Sequence, residues 1–367
     1  MRLVVRPANS ADDPAIRDLL RREPMPGRIR LTYQREPDFG LGCEIAGDDC
    51  RVLVAVDEES GALAGVACRW TRKVYINGHE QRIGYLGQLR IDSRFQGRWL
   101  VSRGFSLLKR WHDVDPLPAY LAAIVEGNYQ ATGVLVEKGR RGFPRFHAVA
   151  EYRTLAIDTK RAKPQVRGNV EVAAPDADEL ADVAEFLQAQ GRQRQFFQKW
   201  TCDGLARLSE FGLHAEDLRV ARRGGEIAGV AALWDQSAYK QTIVQSYSGL
   251  LKALAPLYNL VAPGMGRAAL PRPGEELRSA YVSLVCIANS DSGVFRVLLG
   301  ELYNLARIRR LRYMLVGFDS RDPLLTAARE YSHVLYPSRL YLAEWPDGEG
   351  MHEQLDGRPA YVEIATL

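Results

Sequence analysis

An internal echo constrains this chain more than any other feature of its sequence. Residues 63–70 read LAGVACRW and residues 227–234 read IAGVAALW. Each follows a strand-like run and a glycine turn: RVLVAV at 51–56 with Gly61, then LRVA at 218–221 with Gly224 and Gly225. Strand, turn and strand predict a β-hairpin in both places. The order around the hairpins repeats too. Each half opens with a short strand, at residues 3–5 and 170–172, followed by a helix. In the first helix Asp13 is the expected cap, Pro14 the first helical position, and Ile16, Leu19 and Leu20 the buried stripe. In the second, Asp176 and Glu179 have capping-box spacing, with Leu180, Val183, Phe186 and Leu187 facing inward. Each half then predicts strand, helix, strand and helix, at 84–91, 100–111, 120–125 and 130–138, and again at 280–287, 295–307, 313–316 and 323–330. A repeat as long as a domain implies duplication, because solenoid repeats are far shorter.

A chain of 367 residues exceeds one hydrophobic core, which agrees with two units. The polar, basic stretch 158–168, with Pro164 and Gly168, reads as the linker and gives an N-terminal unit 1–160 and a C-terminal unit 168–367. A net charge of +4 suits a small anionic ligand and falls short of the basic face of a nucleic-acid binder. No apolar run approaches the roughly 20 residues that span a bilayer, so no membrane partner is expected. The opening MRLVVRP has no export signature, and the five scattered cysteines suit a reducing cytoplasm. Neither those cysteines nor the six histidines show metal-ligand spacing, so no metal is expected. No G-x-S-x-G, H-E-x-x-H or Walker loop occurs.

The stretch LRIDSRFQGRWL at 89–100 is a strand entering a short loop and then a helix. Such a turn aims backbone N–H groups at one spot beside the positive end of a helix dipole, a cradle for pyrophosphate. Gln96, Gly97 and Arg98 add close backbone approach and a cation. These residues resemble the GNAT acyltransferase superfamily, whose pyrophosphate loop is (Gln/Arg)-x-x-Gly-x-(Gly/Ala). Gln96 takes the first position, Trp99 and Val101 take the Gly positions, and Leu89 and Ile91 match the preceding strand. YLAAIVE at 120–126 looks like the family's next strand. Asn128, Ala131, Glu137, Lys138, Gly139 and Phe143 resemble its following motif.

The resemblance implies an α/β fold of two tandem GNAT-like acyl-CoA N-acyltransferase domains, each a mixed, mostly antiparallel sheet flanked by helices. It implies acetyl-CoA as co-substrate, bound by Leu89, Arg90, Ile91, Gln96, Gly97, Arg98, Trp99, Leu100 and Asn128. The acceptor is then an amine of a small molecule or peptide. Glu126 is the candidate base that keeps the amine neutral; otherwise it is a strand-terminal surface carboxylate. Tyr129 is the candidate acid, since the family's tyrosine position holds Leu135 or Val136. Asn128 reads as a pantetheine ligand or, somewhat better, as a helix N-cap. Tyr33, Arg35, Glu36 and Asp38 lie where the family walls its acceptor pocket, and an arginine there favours a carboxylate or phosphate on the acceptor. In the second half NSDSGVF at 289–295 replaces the phosphate loop and Asp291 opposes pyrophosphate, so that copy reads as degenerate. The GMGRAA at 264–269 follows a helical stretch, against a dinucleotide fingerprint. The alternative function is a non-catalytic module that holds an acyl-CoA or another ligand.

Overall fold

The computed structural model describes residues 2–25, 29–97, 99–137, 142–261, 270–348 and 350–367. The first half runs β1 (Leu3–Pro7), α1 (Asp13–Arg22), β2 (Ile29–Gln34), α2 (Phe39–Ala46), β3 (Arg51–Asp57), β4 (Leu63–Ile76), β5 (His79–Ile91), α3 (Leu100–Val114), β6 (Tyr120–Val125), α4 (Tyr129–Thr132) and β7 (Arg145–Asp158). The second half runs β8 (Glu171–Ala173), α5 (Leu180–Gly191), β9 (Phe197–Gln198), α6 (Cys202–Arg207), β10 (Leu218–Arg223), β11 (Glu226–Trp234), β12 (Gln241–Tyr247), α7 (Gly249–Val261), β13 (Ser279–Ile287), α8 (Ser292–Ile308), β14 (Tyr313–Asp319), α9 (Leu324–Ala328) and β15 (His333–Glu344).

Both hairpins of the echo form, as β3–β4 and β10–β11. The first helix begins differently from its expected capping. Asn9 caps a 3-10 turn over Ser10–Asp12 by accepting from Ala11 N (2.9 Å), and α1 continues from it. Asp13 is therefore inside the helix, where its carboxylate accepts from Arg17 Nε (2.7 Å) and Phe39 N (2.8 Å). Ile16, Leu19 and Leu20 are buried, as their spacing requires. The helix expected at 130–138 is shorter, four α residues followed by a π turn over Gly133–Glu137.

One mainly antiparallel sheet unites the halves, in the order β1-β3-β4-β5-β6-β15-β7-β14-β13-β11-β10-β8, with β9 against β4. The order reads as the same arrangement from either end, and each half lends its last strand to the other. β15 lies between β6 and β7, and β7 lies between β15 and β14. A separate ribbon pairs β2 with β12 antiparallel, from Gln34↔Gln241 to Ile29↔Tyr247. Gln241 also bonds the Glu36 backbone N (3.1 Å) and O (3.0 Å).

Helices cover both faces. α8 buries Phe295, Leu298 and Leu302 against the second half's strands, and Leu155 and Ile157 of β7 join that core. α3 packs Phe105 and Leu108 against Tyr120 and Trp345. Each such side chain taken from water stabilises by about 1.5–3 kcal/mol. Among the described residues, no helix is long and apolar enough to cross a membrane.

Candidate functional site

The sheet opens at one place in the first half. β5 and β6 are parallel neighbours only at Gly84↔Tyr120 and Tyr85↔Leu121, after which the strands diverge. Gly84 permits this junction, because a Cβ there would lie 2.1 Å from the Tyr120 ring. On its other side β5 carries a bulge. The register against β4 slips between Val66↔Arg90 and Cys68↔Gly87, and Gln88 takes φ +57°. A bulge turns backbone groups out of the ladder beside the gap.

A cavity of about 500 Å³ fills the gap and extends to both faces of the sheet. On one face α3 contributes Leu100, Val101, Gly104, Phe105 and Leu108; on the other lie the β2–β12 ribbon and tyrosines of the second half. Leu89, Arg90, Ile91, Leu100 and Asn128 all line it. Asn128 is at once a cap: its Oδ1 accepts from Ala131 N (3.1 Å). Gln96, Gly97 and Trp99 form the turn ahead of α3, outside the cavity proper; Arg98 lies outside the described residues. Gly97 has φ +77° and no atom within 4 Å of a would-be Cβ, so the turn is open to an approaching group. Trp99 also takes a left-handed φ, +61°, and is 68% exposed, so its indole does not fill the cradle. Asp92 at the foot of the turn is neutralised: Arg94 foremost, then Arg22, hold its carboxyl well below the usual carboxylate range.

The acid and base expected from sequence are placed elsewhere. Glu126 does not line the cavity, and its Oε1 accepts from Arg153 Nη1 (2.8 Å). Tyr129 is 84% exposed, because the short α4 turns it outward. Of the four acceptor-side residues, Tyr33 and Arg35 line the cavity. Glu36 instead pairs with Arg17 and Arg21, and Asp38 caps α2 by accepting from Gly40 N (2.6 Å). Tyr33 lies within β2 of the ribbon, whereas Arg35, Glu36 and Asp38 belong to the connection from β2 to α2.

Sequence reading missed what the second half brings: Lys240, Tyr247, Tyr281, Tyr313 and Tyr336 all line the first half's cavity. Long-range strand exchange puts them there, and no local pattern signals it. Burial lowers the Arg35 guanidinium and brings that of Arg90 down to about 10; burial and the Arg35 charge hold Lys240 well below the ordinary lysine range.

The second half has an equivalent gap that its own chain closes. β13 and β14 pair only from Ser279↔Tyr313 to Tyr281↔Leu315. The β11–β13 register slips between Val230↔Cys286 and Ala232↔Ser283, and Leu284 takes φ +55°. Thus Leu284 and Val285 correspond to Gln88 and Leu89. Their N–H groups donate to Glu363 Oε2 (2.8 Å) and to the Tyr361 hydroxyl (3.0 Å). Ala360 N donates to Asp319 Oδ2 (2.9 Å), and the Tyr152 hydroxyl donates to Gly317 O (3.0 Å) and Val362 O (2.9 Å). Residues 360–363 occupy this gap as a ligand would.

Two groupings run against the sequence reading of scattered cysteines and histidines. Cys43, Cys50 and Cys68 lie close enough to shift one another's thiols, Cys43 downward and Cys50 and Cys68 upward. His147, Glu344 and His352 bring ligand-type atoms within 4.8 Å of one another. The two imidazoles, however, stack face to face at 3.5 Å and 12°, which aims their in-plane lone pairs along parallel lines and away from a common ion.

No protein-family model matches the sequence, and no curated protein does either. Solved structures do match. A GCN5-related N-acetyltransferase from Sphaerobacter thermophilus superposes with a TM-score of 0.57 at 16% identity, over 100% of this chain and 98% of that one. Saccharomyces cerevisiae N-myristoyltransferase with bound myristoyl-CoA gives 0.65 at 9% identity, over 98% and 85%. The chain has a tandem GNAT fold. In this GNAT arrangement the first copy keeps an open gap beside the Gly97 turn, and the second copy's gap is filled by Tyr361 and Glu363. A probable N-acyltransferase from Enterococcus faecalis shares the fold at a TM-score of 0.50 and 9% identity, over 93% of this chain and 72% of that one.

Proposed function

We propose that this GNAT chain is an acyl-CoA-dependent N-acyltransferase, transferring acetyl or a longer acyl group to an amine in the first half's cavity. One observation carries the reading. The bulge at Leu284 and Val285 binds oxygen atoms through its N–H groups, and the matching bulge at Gln88 and Leu89 borders an open cavity. A thioester carbonyl seated there would meet the same donors as its oxygen gains negative charge.

The pantetheine arm follows the gap from the Gly97 turn, past Ile91 and Leu89 on one side and Val125 on the other. The amine approaches from the β2–β12 face. Its nitrogen attacks the thioester carbon, the C–S bond breaks, and the departing thiolate takes the proton that the nitrogen loses. Apolar walls with Arg35 and Arg90 nearby disfavour an ammonium, so an amine entering here is driven to its neutral, nucleophilic form without a dedicated base. We place this activity in the cytoplasm, where the five unbridged cysteines stay reduced.

The displacement of Glu126 and Tyr129 from the cavity favours a second reading, a non-catalytic acyl-CoA-binding module. Free-thiol release from acetyl-CoA and a medium-chain acyl-CoA, measured over a panel of amines, separates the two. Amine-dependent release at least about 10-fold above the amine-free rate, a barrier difference near 1.4 kcal/mol, is the expected result. Tight binding with no release for any amine would establish the binding module.

A further inference from the structure

Beside the bulge the cavity ends in a polar recess of about 20 Å³, and both spaces are lined by Arg35, Cys68, Gln88 and Lys240. Arg35 is only 4% exposed, and among the described residues no carboxylate pairs with it. Among the described residues its one hydrogen bond is a long contact to Gln34 O (3.5 Å). The acids closest in sequence are committed, Glu36 to Arg17 and Arg21 and Asp38 to its helix cap.

Two other groups stand in the same place. Lys240 donates to Ala365 O and Leu367 O (both 3.1 Å), and among the described residues no Asp or Glu pairs with it. Gln236 lines the recess at 1% exposure, and neither its side-chain oxygen nor its nitrogen makes a well-formed hydrogen bond among the described residues. The Tyr239 hydroxyl, which faces Gln236, donates to Phe211 O (3.2 Å). Arg90, the third cation on the cavity wall, donates among the described residues only to Leu89 O (2.8 Å). A buried guanidinium and a buried amide without partners are both costly, and one bound anion would satisfy both.

We propose that the acceptor is an amino acid with an apolar side chain, its carboxylate held by Arg35 and Gln236 and its amine presented to the thioester at Gln88. The inference rests on the acyltransferase reading above. Because Arg35 and Gln88 line the same small recess, the carboxylate and the attacking nitrogen belong on one carbon or close to it. The tyrosine walls, Tyr33, Tyr281 and Tyr336 among them, suit a planar apolar body. A phosphate, larger and doubly charged, fits the small recess poorly. The reaction joins the amine nitrogen to the acyl carbon and releases CoA thiol with the amine's proton, giving an N-acyl amino acid.

The test compares phenylalanine, phenylalaninamide and O-phosphoethanolamine, both as acceptors in thiol release and as ligands of the CoA-saturated protein in calorimetry. Phenylalanine is expected to be preferred over its amide by about 10- to 100-fold, the range of a charge-assisted hydrogen-bond pair. Arg35→Met is expected to abolish that preference, so that phenylalanine is used no better than phenylalaninamide. Gln236→Leu removes unpartnered polar atoms, so it should raise the melting temperature while weakening the preference, which keeps the idea testable should Arg35→Met not fold. Equal use of acid and amide by the wild type, a preference for the phosphate, or a preference untouched in Gln236→Leu and Arg35→Met would overturn the proposal. A carboxylate preference in calorimetry without any thiol release would sink the transferase reading and uphold the carboxylate site.

Discussion

Gly104→Phe is expected to eliminate acyl-CoA binding while the protein stays folded. Gly104 sits on the cavity-facing side of α3, and a Cβ there would touch only Leu53 Cδ1, at an ordinary 3.8 Å. Replacing a helical glycine recovers backbone entropy, roughly 0.5–1 kcal/mol. The phenyl ring must then enter the space between α3 and the diverging strands, where the pantetheine arm is assigned. Affinity should fall by about 100-fold or more, some 2.7 kcal/mol, with the melting temperature unchanged or higher. Wild-type affinity in a folded variant would place the donor elsewhere in the molecule.

Residues 1–160 produced alone are expected not to fold as a monomer. β6 would lose β15, and β7 would lose both its neighbours, leaving three unpaired strand faces. Leu155 and Ile157, fully buried against the second half, would face water, and the Tyr152 hydroxyl would lose Gly317 and Val362. These losses exceed the roughly 5–15 kcal/mol that holds a domain together. Co-production with residues 168–367 should restore one complex with the circular dichroism and elution volume of the intact chain. A stable, well-folded 1–160 monomer would show that the exchanged strands are dispensable.

The elements were largely legible in the sequence because their signals are local. The two hairpins, the strand at 120–125 and the helix from Leu100 follow from glycine turns and apolar periodicity, and they stand where expected. The strand-to-helix turn at Gly97 was legible for the same reason, whereas Leu89 to Ile91 were singled out by the resemblance to the GNAT loop. The exchange of β7 and β15 was not, because strand pairing across more than 150 residues leaves no mark on either strand's composition. Lys240, Gln236 and Tyr281 were missed with it. Glu126 and Tyr129 mislead because position in a motif says nothing about a nearby Arg153 or a helix of four residues. The degeneracy of the second copy was visible at Asp291, which in the fold caps α8 and pairs with Arg223. Its cause, the tail carboxylate on the bulge, was visible only in three dimensions.

The central claim is that one gap of this tandem GNAT fold takes acyl-CoA and the other is occupied by the chain itself. Calorimetric titration of the intact protein with acetyl-CoA tests it most directly, alongside Gly97→Glu, which forces a charged side chain onto a φ of +77° in the anion cradle. One site per chain, lost in the variant, is the predicted result. Two sites per chain, or a single site that survives Gly97→Glu, would contradict it.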